Sequence, residues 1–153
     1  MKTLYYFLFV LPLFLVSCND DDNLPNVDFE VSISNGLNIE GILYVVKGDT
    51  LSVDSIEIVS LDNKGAVIGS VTYYWDYYML ISNPFPPYNV NILTDRLNLG
   101  NHLLQFECPV YVVDYPLFTA YFSYPIKLVE SIDDIPNLPS MPLELIPKIK
   151  IKQ

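Results

Sequence analysis

Short runs of alternating apolar and polar residues, each closed by turn-forming residues, recur along most of this chain and constrain its fold more than any other feature. Such alternation places successive side chains on opposite faces of a strand, whereas a helix needs a period near 3.6 residues. No sustained helical period follows residue 24. The pattern predicts an all-β domain with strands at residues 27–34, 42–46, 51–61, 66–79, 89–93, 101–113 and 117–129.

The alternation also predicts an apolar inner face and a more polar, solvent-exposed outer face for each strand. In 101–113 the even positions, His102 and then five apolar residues from Leu104 to Val112, are predicted to point inward, and Gln105 and Glu107 lie on the opposite face. In 117–129 the even positions, from Phe118 to Leu128, are the nearly all apolar set. One wet face per strand is typical of antiparallel sheets, and about seven short strands suggest a β-sandwich or a barrel. For strand 66–79 the side chains predicted to point inward are Val67, Val71, Tyr73 and Trp75.

The spacing Leu97-x-x-Gly100-x-His102-x-Leu104-x-Phe106 resembles the corner that opens the penultimate strand of immunoglobulin-like domains. An inward Trp75 is similar to the core Trp of that fold. This resemblance implies an immunoglobulin-like antiparallel β-sandwich of about seven strands over residues 27–135. The antibody branch is excluded, because Phe106 stands where antibody domains keep the corner Tyr and no Cys stands in residues 51–61 to form the inter-sheet disulfide with Cys108. Bacterial immunoglobulin-like modules commonly lack both features.

Residues 1–17 predict a secretory signal peptide. Lys2 precedes an apolar run over 4–16, which is shorter than the roughly 20 residues of a membrane-spanning helix. Leu15-Val16-Ser17-Cys18 resembles the bacterial lipobox, which implies that Cys18 is lipidated and becomes the first residue of the mature chain. Two or three acyl chains anchor a protein stably, at about 0.8 kcal/mol per buried methylene.

The residues after Cys18, Asn-Asp-Asp-Asp-Asn, give an acidic tether over 18–26. A block of like charge stays extended. It also resembles the acidic export signal of Bacteroidota-type surface lipoproteins, which implies an outer-membrane, lipid-anchored protein at the cell surface. At the other end, 136–153 is a Pro-rich extended tail, whose Lys/Ile end either pairs along a sheet edge or stays solvated.

The composition offers few means of catalysis. His102 is the chain's single His and opens a strand, which favours a core-edge role, and Cys108 is predicted to be a buried free thiol. No phosphate-binding or nucleophile-elbow motif occurs, and neither a cofactor nor a metal site is predicted. The net charge of −10 argues against a nucleic-acid partner. A non-catalytic protein is expected, with a small hydrolase as the least favoured alternative.

Seven aromatic residues fall within residues 73–88. Some pack the core, but outward aromatic faces beside a carboxylate suit stacking on a sugar ring or anchoring an interface. The sequence thus favours a surface binding or adhesion module for a glycan or a partner protein. The alternative is an assembly subunit that adds a strand to a partner. The candidate ligand-binding residues are Tyr74, Asp76, Tyr78, Phe85 and Tyr88.

Overall fold

The computed structural model describes residues 27–61, 65–136 and 149–152, so the predicted signal peptide, Cys18, the acidic tether and most of the Pro-rich tail lie outside the described residues. A single 3-10 turn, Ile132–Asp134, follows the last long strand. The described part contains no helix with the length and hydrophobicity that a membrane span requires. The strands are β1 Val27–Ser34, β2 Leu37–Ile39, β3 Ile42–Val46, β4 Thr50–Leu61, β5 Ala66–Ile68, β6 Val71–Trp75, β7 Tyr78–Asn83, β8 Val90–Leu93, β9 Gly100–Val112, β10 Phe118–Val129 and β11 Ile149–Lys152.

Two sheets form an immunoglobulin-like β-sandwich, which confirms the predicted fold class. The first sheet has the order β11-β1-β4-β8, and the second has the order β2-β3-β10-β9-β6-β7, with β5 also paired to β9. Neighbouring strands are antiparallel except for the parallel pair β3 and β10. Strand β11 pairs with β1 in antiparallel register, so the end of the tail is an added edge strand. The sequence had left this choice open.

The core between the sheets is organised around stacked aromatic rings. Phe106 stacks on Phe122 with ring centroids 4.8 Å apart and also contacts Tyr73 and Tyr124. Phe122 meets Phe29 of the opposite sheet edge-on at 5.2 Å. Because offset and edge-on contacts are the favoured arrangements of aromatic pairs, these rings fix the spacing of the two sheets.

The inner faces of β9 and β10 are those predicted from the sequence, whereas the prediction for residues 66–79 needs correction. This segment forms three strands, and Val67 is exposed rather than inward. The pairing of β5 with β9 and that of β6 with β9 differ by one residue across Gly69 and Ser70. One extra residue reverses which side chains face the core. Ile68 is buried in place of Val67, while Val71, Tyr73 and Trp75 are buried as predicted.

Two buried tyrosines are expected to respond differently to loss of the hydroxyl. The Tyr73 hydroxyl donates a hydrogen bond to the Tyr88 carbonyl, whereas the Tyr124 hydroxyl is buried without a partner among the described residues. Tyr73→Phe should therefore lower the free energy of unfolding by about 1–3 kcal/mol, because it leaves a buried carbonyl unpaired. Tyr124→Phe should leave it unchanged or raise it slightly. Chemical denaturation of both variants checks this, and equal losses would contradict it.

Candidate functional site

The outer face of the second sheet brings aromatic and polar side chains together in two neighbouring rows. Direct cross-strand pairs lie on the same face of a sheet. The first row consists of Met79, Tyr74, Gln105 and Ser123, in strands β7, β6, β9 and β10. The second row consists of Ser82, Thr72, Glu107 and Tyr121 in the same strands.

Five members of these rows line an open groove of about 320 Å³, which we call the aromatic groove. Tyr77, in the turn before β7, and Tyr121, on β10, are the most exposed aromatic residues of its lining, at 77% and 74%. Their rings are therefore accessible to a ligand. The lining residues are Tyr74, Tyr77, Gln105, Phe106, Glu107, Tyr121, Phe122 and Ser123.

One hydrogen bond orders the floor of the aromatic groove. The Tyr74 hydroxyl donates to Oε1 of Glu107 at 2.9 Å, which raises the pKa of Tyr74 above its ordinary value of 10.0. The bond occupies one lone pair of the carboxylate and leaves Oε2 with acceptor capacity. The groove thus combines exposed π faces with carboxylate, amide and hydroxyl groups, and this chemistry suits a ligand with both a flat apolar face and hydroxyl groups.

A tight hairpin turn positions Tyr77 at the end of the aromatic groove. Asp76 and Tyr77 are the two central residues between β6 and β7, and both have positive φ, 49° and 70°. Two-residue hairpins favour this backbone shape, and Asp tolerates it better than most residues. Asp76 also accepts a hydrogen bond from the backbone N–H of Leu103 at 2.8 Å. The turn is thereby fixed to the start of β9.

His102 joins the same turn to the corner before β9. Its Nδ1 lies 2.7 Å from Oδ2 of Asp76, its Nε2 lies 2.7 Å from the carbonyl oxygen of Asn98, and its ring packs on Trp75. Burial lowers the pKa of His102, but the Asp76 carboxylate and the Asn98 carbonyl outweigh it and raise the pKa above 6.5. Both partners are acceptors, so the protonated ring satisfies them together. In the immunoglobulin corner a Tyr hydroxyl makes the upstream backbone bond. Here His102 makes it.

The structure separates the five residues that the sequence grouped. Tyr74 lies in the aromatic groove, and Asp76 lies in the hairpin turn, where it supports the backbone and His102. Tyr78 pairs with inward Trp75 and so lies on the opposite face from Tyr74, and Phe85 is exposed in the 84–89 connection. The prediction that Tyr88 belongs to an exposed aromatic patch is wrong. Its side chain is 7% exposed, and its hydroxyl donates to the Ile68 carbonyl at 2.9 Å.

Sequence reasoning missed most of the residues that line the aromatic groove. Gln105 and Glu107 had been placed on the wet face of their strand, and the outer positions of the next strand include Tyr121 and Ser123. Pairing the wet faces of these adjacent strands would have brought the four side chains together. Tyr77 could not be found in this way, because residues 76 and 77 were assigned to a continuous strand.

Other candidate sites offer less chemistry. A second depression, of about 350 Å³, lies between β4 and β5, and Glu57 is the one charged residue in its lining. Cys108 is fully buried, and burial raises its pKa to about 12, so its thiol is protonated at neutral pH. Within the described ranges no three His, Cys, Asp or Glu side chains are placed to share a metal ion.

The chain was compared with known proteins in sequence and in structure. No protein-family model matches the chain, and no curated protein matches it in sequence. Among solved structures the chain is similar to the fibronectin(III)-like modules of CbhA from Clostridium thermocellum. The sequence identity is 17%, the match covers 63% of this chain and 94% of that chain, and the TM-score is 0.39.

Proposed function

We propose that this chain is a non-catalytic surface lipoprotein whose immunoglobulin-like domain binds a glycan in the aromatic groove. The observation that carries the binding proposal is the pair of exposed rings of Tyr77 and Tyr121 on either side of Gln105 and Glu107. A sugar ring presents C–H groups to an aromatic face and hydroxyl groups to polar side chains. Preformed concave sites with a few convergent polar groups are the usual form of small-ligand sites.

The environments of His102 and Cys108 support the non-catalytic part of the proposal. Both nitrogens of His102 are engaged with acceptors, which leaves no lone pair available as a general base. The Cys108 thiol is buried and protonated, so it is a poor nucleophile. A groove that holds a ligand without such groups is expected to bind it without changing it.

The proposal predicts that Tyr77→Ala/Tyr121→Ala weakens glycan binding about tenfold or more. Each aromatic contact contributes about 0.5–1.5 kcal/mol beyond its buried area, and 1.4 kcal/mol corresponds to a factor of ten. The full chain in detergent would be screened on a glycan array, and the affinity for each hit would be measured by calorimetry. Tyr111→Ala is the matched control, since Tyr111 is exposed on β9 outside the groove. Equal affinity in the double variant, or no hit for the wild type, would reject the proposal.

The anchor is a separate prediction, motivated by the lipobox-like residues 15–18. Cys18→Ser should abolish incorporation of a labelled fatty acid and move the protein from the membrane fraction to the soluble fraction, because the thiol that carries the lipid is lost. Cys108→Ser is the matched control and should keep both the label and the location, since Cys108 is buried. Label retained in Cys18→Ser would show that the anchor lies elsewhere.

A further inference from the structure

A long continuous segment of the chain, at one side of the sandwich, contains no charged residue. Strand β7 ends the second sheet, strand β8 ends the first, and the connection 84–89 joins them, so both edges lie on the same side. Residues 77–94 run along this side, next to β5 and to Glu57 of β4, and contain no Asp, Glu, Lys, Arg or His. The rest of the chain holds all 18 acidic and 8 basic residues and the net charge of −10. We call residues 77–94 the uncharged side.

The uncharged side also exposes large apolar side chains. Tyr78 and Ile81 pair with the inward residues Trp75 and Tyr73, yet they are 79% and 48% exposed, so the opposite sheet does not cover them. Single exposed apolar residues are ordinary, but contiguous patches mark contact surfaces. The exposed apolar residues along the β7 edge and the connection are Tyr78, Leu80, Ile81 and Phe85, whereas Met79 and Leu93 point away from it, from the outer faces of the second and the first sheet.

The edge of β7 has few of the features that prevent association. Proteins commonly protect an edge strand with Lys, Pro or an inward charge, and Tyr78–Asn83 has none of these. Within the described residues nothing pairs with the outer edge of β7 or β8. A bulge at Leu80, between the Met79 and Ile81 pairs, interrupts the edge. Contacts there are therefore expected to come from side-chain packing more than from a long hydrogen-bonded ladder.

We propose that the uncharged side is the interface between two copies of this chain, related by a two-fold axis. Two copies that each carry a net charge of −10 repel one another, and this repulsion is least where neither surface carries charge. A two-fold interface brings the same patch of each copy together, so an uncharged patch avoids facing like charges. Residues 77–94 themselves carry no fixed charge that would select a partner of opposite charge.

The size of the uncharged side fits a weak dimer interface. An aromatic side chain buries about 150–250 Å², and Tyr78 and Phe85 are 79% and 72% exposed. With Leu80 and Ile81 the patch reaches on the order of 400–550 Å² per copy, which is the size of a weak, transient interface of less than about 1,200 Å² in total. This proposal does not depend on ligand binding in the aromatic groove.

The test is the protein mass of the full chain in detergent, measured by light scattering over a range of concentrations. The wild type should reach the mass of two chains. Leu80→Lys and Ile81→Lys should raise the dissociation constant at least tenfold, because each places two like charges at the interface. Ile42→Lys is the matched control, since Ile42 is an exposed apolar residue on β3, which three strands separate from β7 in the second sheet, and it should stay dimeric. Circular dichroism checks that each variant is folded.

Phe85→Asp provides a second variant outside any strand, in case a lysine in β7 disturbs folding. It should also dissociate the dimer. A wild type that has the mass of one chain at every concentration would overturn the proposal and leave the uncharged side open to another protein. Dimers that persist in folded Leu80→Lys, Ile81→Lys and Phe85→Asp would overturn it as well, because association would then occur elsewhere. Dissociation of Ile42→Lys would have the same meaning.

Discussion

Phe106→Ala is expected to lower the free energy of unfolding by about 3–5 kcal/mol, the usual range for a large aromatic residue in a packed core. Phe106 is 1% exposed, and its ring contacts Tyr73, Phe122 and Tyr124. Alanine would leave a cavity at the point where rings of β6, β9 and β10 meet. Because whole domains are stable by about 5–15 kcal/mol, this single change removes a large share of the stability.

Tyr121→Ala is the control for this prediction, since it also truncates an aromatic residue of the second sheet but removes a side chain that is 74% exposed. Its expected cost is within about 0.5 kcal/mol. Denaturant unfolding with the midpoint and slope compared between variants measures both effects. Similar losses in the two variants would mean that the aromatic cluster does not hold the sheets together.

Asp76→Ala is expected to lower the free energy of unfolding by about 2–4 kcal/mol. The substitution removes the acceptor for the Leu103 N–H and the partner of the His102 ring. Hydrogen bonds to charged groups contribute about 1.5–3 kcal/mol, and Ala at the positive φ of residue 76 adds backbone strain. Asp76→Asn is the matched control, because Asn tolerates this φ and keeps an acceptor for Leu103, and its loss should be clearly smaller.

The same pair of residues predicts a pH dependence. The pKa of His102 is raised above 6.5 in the folded chain, so the folded state binds a proton that the unfolded state releases near pH 6.5. The stability contributed by His102 is therefore complete below about pH 6.5 and is lost as the pH rises through its folded pKa. Asp76→Asn should flatten this decline. Unfolding titrations from about pH 5.5 to 8.5 measure it, and a wild-type stability that rises over this range would contradict the assignment.

The alternation of apolar and polar residues along the sequence predicted most of the fold. Strand β9 alternates between buried and more exposed positions from Leu104 to Val112 and strand β10 does so from Tyr121 to Leu128, and their inner faces are the predicted ones. While a strand pairs regularly with its neighbours, its odd and even positions stay on opposite faces of the sheet, so the position in the sequence predicts which side chains are buried. The corner at Leu97 to His102 was also visible, because the spacing of its residues is local. What the sequence did not reveal was that His102 itself makes the corner hydrogen bond.

Pairing between strands that are distant in the sequence decided where the alternation of inward and outward side chains is interrupted. The one-residue shift across Gly69 and Ser70 exposes Val67, and a similar shift in β4 moves the buried set from Leu51 and Val53 to Ile56. A bulge depends on which residues of the partner strand accept hydrogen bonds. This is a property of the assembled sheet, and alternation within one segment carries no trace of it.

The candidate site shows the same division. The sequence gathered aromatic residues 73–88 because they are neighbours along the chain, and it identified Tyr74 as outward. Only the folded sheet could bury Tyr88 through its bond to the Ile68 carbonyl and bring Tyr121 beside Tyr74 from a strand more than forty residues away. Local alternation fixes which face a side chain occupies, whereas strand order and register fix its neighbours. Tertiary structure therefore decided the composition of the groove.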